Sequence, residues 1–125
     1  MRNTCDYMKI REIKSLLEAE LICGEERLDS EVLSACGSDM MSDVLAFVKD
    51  QAVLLTGLVN PQVVRTADMM DMHCIVFVRN KLPSSETIKL AQANGMVVLA
   101  TKLRMYDACG ILYSNGLGGG GCCNE

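Results

Sequence analysis

A chain of 125 residues, half of them hydrophobic, can bury roughly two thirds of its unfolded surface in one core. Its net charge of −4 and pI near 5.0 come with no basic stripe, which argues against a nucleic-acid partner. No apolar run approaches the roughly 20 residues of a membrane span, so no membrane association is expected.

The N-terminal stretch MRNTCDYMKIREIK lacks the apolar centre of a signal peptide, and a cytoplasmic location is expected. Seven cysteines then read as reduced thiols, and an odd count argues against a fully paired disulfide framework. Nine methionines, no tryptophan and 4% aromatics describe an aliphatic, sulfur-rich core. Part of the apolar excess is expected to serve as partner surface.

Met8 to Leu17 places Ile10, Ile13, Leu16 and Leu17 on one helical face, opposite Lys9, Arg11, Glu12 and Lys14. Glu20–Cys23 reads as a short strand closed by the turn signal Gly24-Glu25-Glu26. Ser30 to Cys36 is a second extended stretch, broken by Gly37-Ser38-Asp39. A helix from about Met40 to Lys49 follows, with an apolar stripe of Met40, Met41, Val44, Leu45 and Val48. Ser38 is its expected N-cap, and Asp39 suits the positive end of the helix dipole.

The organising stretch is AVLLTGLVNPQVVRTA, Ala52 to Ala67. Ala52-Val53-Leu54-Leu55 is wholly apolar and ends at Thr56-Gly57; a strand without alternation belongs to a sheet covered on both faces, usually a parallel one. Asn60-Pro61 marks a helix start, because Asn caps well and Pro suits the first helical position. This helix is predicted to run to about Met70. CIVFV, Cys74 to Val78, is the second apolar strand. Ser84 caps a helix to about Ala93, with Ile88 and Ala91 inward and Gly95 as the stop. MVVLA, Met96 to Ala100, is the third strand. The last helix spans Arg104 to Tyr113, with Met105, Ala108, Cys109 and Leu112 inward, and Gly116 ends it.

From Ala52 the chain therefore alternates strand and helix three times, which predicts an α/β fold with a mostly parallel sheet, right-handed crossovers and flanking helices. The predicted organisation is one domain over residues 1–116 and a flexible Gly/Cys tail over 117–125.

The ordered motifs resemble the DRTGG domain family, and within it the small stand-alone members found beside iron-hydrogenase genes. The resemblance covers about Met8 to Leu117. It is carried by Met8-Lys9-Ile10, Leu21-Ile22-Cys23-Gly24-Glu25-Glu26, Ser38-Asp39-Met40-Met41-Ser42-Asp43-Val44, Thr56 and Asn60-Pro61-Gln62-Val63-Val64. It continues through CIVFVRN, Pro83-Ser84-Ser85-Glu86-Thr87-Ile88, Gly95, Leu99-Ala100-Thr101 and Tyr106-Asp107-Ala108-Cys109-Gly110. The naming signature itself is absent: Val59-Asn60 stands where DR would, and Val78-Arg79-Asn80 where TGG would. The resemblance implies a non-catalytic regulatory or assembly module that self-associates, with a fold similar to the N-terminal domain of HPr kinase. It also implies a hydrogenase or other redox enzyme as partner.

Three groups of residues could carry chemistry. Asp39 and Asp43 would share one helix face at i,i+4 and could hold a hard cation, though nothing nearby supplies further oxygen ligands; a capped helix start with solvated acids is the plainer account. The C-terminal ends of the parallel strands, where ligands bind at a switch point, would gather Thr56, Gly57, Asn60, Arg79, Asn80 and Thr101. Helix N-termini there offer N–H groups to an anion and Arg79 a guanidinium. With Ser38 and Asp39, these form the tentative ligand site for a nucleotide or phosphate compound; no P-loop or GxGxxG motif is present. Cys122-Cys123 is a vicinal pair that could carry a soft metal or exchange thiols, but a closed metal site needs about four ligands and no CxxC supplies them. His73, the only histidine, has no placed nucleophile or acid beside it, so no catalytic residue, resident metal or cofactor is expected. The expected activity is non-enzymatic, by a homodimer. The alternatives are a ligand sensor at the strand-end rim and a thiol or metal carrier using Cys122 and Cys123.

Overall fold

The computed structural model describes residues 7–47 and 52–119. Its centre is a five-stranded sheet of β2 (Glu20–Cys23), β4 (Ser34–Gly37), β5 (Ala52–Thr56), β6 (Cys74–Phe77) and β7 (Val97–Ala100), in the order β2-β7-β6-β5-β4. β4 to β7 are parallel, and β2 joins β7 antiparallel. The three apolar runs are thus side by side and parallel, as their composition predicts. In each of β5, β6 and β7 every residue is buried.

The period-two geometry of the strands divides these side chains between two cores. Val53, Leu55, Val76 and Leu99 face one side, with α1 (Ile10–Leu16) and α5 (Met105–Ser114) over them. Leu54, Ile75, Phe77 and Val98 face the other, under α2 (Met41–Phe47), α3 (Pro61–Met69) and α4 (Ser85–Ala93). Each fully buried Leu, Ile, Val or Phe contributes about 1.5–3 kcal/mol relative to exposure, so these two layers dominate stability.

The parallel strands lie in chain order. Three successive crossovers of one hand step along the sheet in one direction, and their helices land on one face. The order never reverses among them, so the switch-point crevice expected from sequence does not exist here.

Local signals act as predicted at α3 and α4. The Asn60 side chain accepts the Gln62 N–H at 3.0 Å, and the Ser84 hydroxyl accepts the Thr87 N–H at 3.2 Å. Gly95 takes φ +68° after α4 and Gly116 φ +102° after α5.

Other elements differ from expectation. The first helix starts two residues late because Met8-Lys9 forms β1, paired antiparallel with β3 (Glu31–Val32). The predicted stretch Ser30–Cys36 is two strands, one in each sheet. α2 buries only Val44 of its predicted stripe fully: Met40, just before it, is 60% exposed and Leu45 45%. Val48 and Lys49 lie outside the described residues. Met72 is core, whereas Met69 is 70% exposed. Leu117 and Gly118, expected to begin the tail, are buried. The Gly118 carbonyl accepts the Ala35 N–H at 2.9 Å, covering a free backbone donor on edge strand β4. Residues 120–125, with Cys122 and Cys123, lie outside the described residues.

Gly24 makes a tight turn after β2. Its φ is +94°, and an added Cβ would lie 2.6 Å from both the Met96 carbonyl oxygen and Val97 Cα. Those are backbone atoms of the central sheet and cannot yield cheaply. Gly24→Ala is therefore expected to lower the free energy of unfolding by about 1–3 kcal/mol, read as a reduced urea midpoint with unchanged m-value.

Candidate functional site

β5 and β6 deliver their last residues to the same edge of the sheet. Thr56 and Gly57 end β5, and Val78-Arg79-Asn80 follow β6. The loop after β4 brings Ser38 and Asp39 to the same place, pinned by a bond from Ser38 N–H to the Leu55 carbonyl (3.0 Å).

Asp39 is the hub. Its Oδ1 accepts the Gly57 N–H at 2.7 Å and the Thr56 hydroxyl at 3.0 Å. Its Oδ2 lies 3.3 Å from Arg79 Nη2. The Thr56 oxygen also accepts the Leu58 N–H at 3.1 Å, which leaves its proton free to point at Asp39. The Gly57 N–H above all, helped by Thr56 and Arg79, holds the Asp39 carboxyl below the ordinary aspartate range against a partial desolvation that opposes it.

The Arg79 guanidinium lies against the Gly57 backbone: a Cβ there would collide with Nη2 and fall 2.6 Å from Cζ. A glycine is needed for that approach. Arg79 and its neighbour Asn80 both occupy the left-handed region, at φ +61° and +58°. They are held by bonds from Arg79 N–H to the Leu103 carbonyl (2.7 Å) and from Asn80 N–H to the Thr101 carbonyl (3.0 Å).

Magnitudes separate two accounts of this geometry. Left-handed non-glycine residues cost about 1–3 kcal/mol each, somewhat less for Asn. An ion pair whose members are both 42% exposed returns about 0–1 kcal/mol. Stability alone does not explain why Arg79 is placed over Gly57.

The predicted rim residues thus form one cluster and three outliers. Asp39, Thr56, Gly57 and Arg79 meet, with Ser38 beside them, its hydroxyl accepting the Met40 N–H at 2.9 Å. Asn60 is committed to capping α3. Thr101 is 3% exposed and structural: its hydroxyl donates to the Leu17 carbonyl at 2.8 Å and accepts the Leu103 N–H at 3.2 Å. Asn80 and Thr101 line a separate cavity of about 250 Å³ with Glu18, Glu20, Leu82 and Lys102. The sequence reading missed that cavity; the apolar Leu82 among charges was a faint signal.

The Asp39/Asp43 cation pair is not formed. Asp39 precedes α2 instead of lying on it, and its oxygens are taken by Thr56, Gly57 and Arg79. Among the described residues no three acidic, His or Cys side chains group as a metal site. Burial pushes the Cys23, Cys36, Cys74 and Cys109 thiols up, which disfavours the reactive thiolate. His73 is exposed, with Nε2 3.5 Å from Asp71, remote from the rim.

α5 carries a surface that sequence reasoning did not single out. Tyr106 and Tyr113 are 88% and 70% exposed. They flank a groove of about 790 Å³ with Leu103, Gly110 and Ile111. The signal was present: two tyrosines seven apart with a glycine between them on one helical face.

The model of the DRTGG domain matches residues 12–114, so the chain belongs to the DRTGG domain family, a family of regulatory domains. Among solved structures it is similar to the CBS and DRTGG domains of the regulatory region of Clostridium perfringens pyrophosphatase, complexed with the activator diadenosine tetraphosphate. The TM-score is 0.68 at 18% identity, over 83% of this chain and 45% of that one. This chain thus spans less than half of that structure's length. No curated protein matches the chain. Among the described residues, no helix is long and apolar enough to cross a membrane.

Because the Asp39 carboxyl titrates below its unfolded value, its contribution to stability is complete above about pH 3.9, the ordinary aspartate value. It is lost as pH falls from there through the native value. Asp39→Asn is expected to remove this component: its unfolding free energy should change less steeply between pH 5 and the acid limb than that of the parent, as measured by urea titration at each pH.

Proposed function

We propose that this regulatory domain acts without catalysis, by docking through the exposed face of α5, first onto a second copy of itself. The observation that supports this is the alternation along that face. Tyr106, Gly110 and Tyr113 follow at i, i+4 and i+7, so a bare backbone patch lies between two exposed rings. A Cβ on Gly110 would meet nothing within 4 Å. Two copies of α5 related by a two-fold axis can each seat a tyrosine over the other's Gly110, the self-complementary arrangement an isologous interface requires. Tyrosine is a favoured anchor at such interfaces.

The family resemblance adds the setting: a cytoplasmic homodimer serving a hydrogenase or related redox enzyme. The α5 face, or the exposed Met40, Leu45 and Met69 on the opposite side of the sheet, would meet that enzyme.

A second reading is favoured by the convergence of Gly57 N–H, the Thr56 hydroxyl and Arg79 on one carboxylate. Three such donors suit a phosphate equally well, and the similar pyrophosphatase region was crystallised with a polyphosphate activator. In this reading the domain senses a nucleotide or other phosphate compound at the rim.

Light scattering distinguishes the docking reading. The parent is expected to be a dimer at micromolar concentration, and Tyr106→Ala/Tyr113→Ala a monomer. Gly110→Ala should weaken the dimer at least tenfold while adding about 0.5–1 kcal/mol of helix propensity, so the loss cannot be ascribed to unfolding. A parent that stays monomeric at millimolar concentration contradicts self-association. Co-sedimentation with a purified iron-hydrogenase checks the partner. For the rim reading, diadenosine tetraphosphate should raise the melting temperature of the parent and leave Arg79→Ala unmoved.

A further inference from the structure

The Asp39 carboxylate sits where the donors of an oxyanion site converge. A backbone N–H, an oriented hydroxyl and a guanidinium all point to it, at 2.7, 3.0 and 3.3 Å. The donors and the carboxylate are anchored very differently. Thr56 and Gly57 are buried at the end of β5, and the backbone that carries Arg79 is held by bonds at both 79 and 80. Asp39 comes from a segment 18 residues earlier than Gly57, on the loop that leads into α2. Of the α2 residues with described side chains, only Val44 is buried. Ser38 N–H ties the start of this loop to the Leu55 carbonyl, so the movable part begins at Asp39: its carboxylate is the removable occupant, while the Thr56 and Gly57 donors stay fixed in the buried strand end.

We propose that Asp39 is a built-in placeholder: a phosphate-bearing ligand enters the Gly57–Thr56–Arg79 site by displacing the Asp39 carboxylate, and this frees the loop between β4 and α2. A phosphate dianion carries more charge and more acceptor oxygens than the carboxylate, so it makes the stronger set of charge-assisted bonds. Being tethered, the carboxylate competes at high effective concentration. Weak or singly charged anions are thus excluded and displacement becomes selective. The exchange breaks no covalent bond: Asp39 leaves ionised, and solvent takes over its hydrogen bonds. This inference rests on the rim reading of the previous subsection and is independent of docking through α5.

The test is calorimetric titration of inorganic pyrophosphate, and separately ATP, into the full chain, Asp39→Ala, Arg79→Ala and the double variant. Asp39→Ala should bind pyrophosphate at least tenfold more tightly than the parent, and both Arg79→Ala proteins should lose binding. ATP binding with no pyrophosphate binding would overturn the bare-phosphate chemistry. Parent binding that Asp39→Ala leaves unchanged or weakens would overturn the placeholder while sparing the rim reading. Absence of binding by every variant would overturn both. Should Asp39→Ala not fold, the parent decides: pyrophosphate should shift the Gly57 amide resonance and speed hydrogen exchange across 39–47, and an unmoved Gly57 amide would overturn the proposal.

Discussion

Coverage of the central sheet on both faces is the constraint from which the rest of this structure follows. β5, β6 and β7 expose none of their residues, so their backbone groups must be satisfied within the sheet and their connections must pass over its faces. Crossovers of one hand, taken in chain order, put α2, α3 and α4 together on one side. The other side would be bare without α1 and α5, which bury Ile10, Ile13, Ala108 and Leu112 against it. Both termini of the domain are thereby recruited into the core, which explains why Leu117 packs although its neighbours are glycines.

That constraint also explains which features could be read from the amino acids. Wholly apolar runs bounded by turn residues have one economical solution, so β5 to β7, their direction and the caps at Asn60 and Ser84 were legible. α2 was legible as a helix but its burial was not, because its apolar positions match the helical period yet Met40 and Leu45 stay exposed. Periodicity reports a face, not whether anything covers that face. The register of Ser30–Cys36 was hidden for a related reason: an extended segment can serve two sheets when a single residue separates its halves.

The rim was legible in composition and not in connectivity. Residues at the C-terminal ends of parallel strands had to share an edge, and Thr56, Gly57 and Arg79 do. The role of Asp39 depends on a bond spanning 18 positions, and nothing local signals it. Asn in a turn advertises positive φ, but Arg does not; of the left-handed pair Arg79-Asn80, Arg79 therefore had no sequence cue. The pair is fixed by hydrogen bonds to Leu103 and Thr101, which belong to the connection from β7 to α5.

A regulatory domain needs two arrangements that a ligand or partner can tell apart, since a ligand shifts an equilibrium only by its differential affinity for the two states. The inner strands cannot supply the second arrangement: the residues of β5, β6 and β7 are interior and close-packed, and such cores do not deform by small steps. The β4–α2 segment can, for beyond Ser38 it is held by the bonds to the Asp39 carboxylate and by one buried valine. Its neighbour Gly37 sits beneath α5, where an added Cβ would fall 2.6 Å from Cys109 Sγ and 3.1 Å from Met105 Sδ. Gly37 is two residues from Asp39, and Met105 is one residue from Tyr106. The strand that leads into the loop of the carboxylate therefore packs directly against the helix that carries the exposed tyrosines.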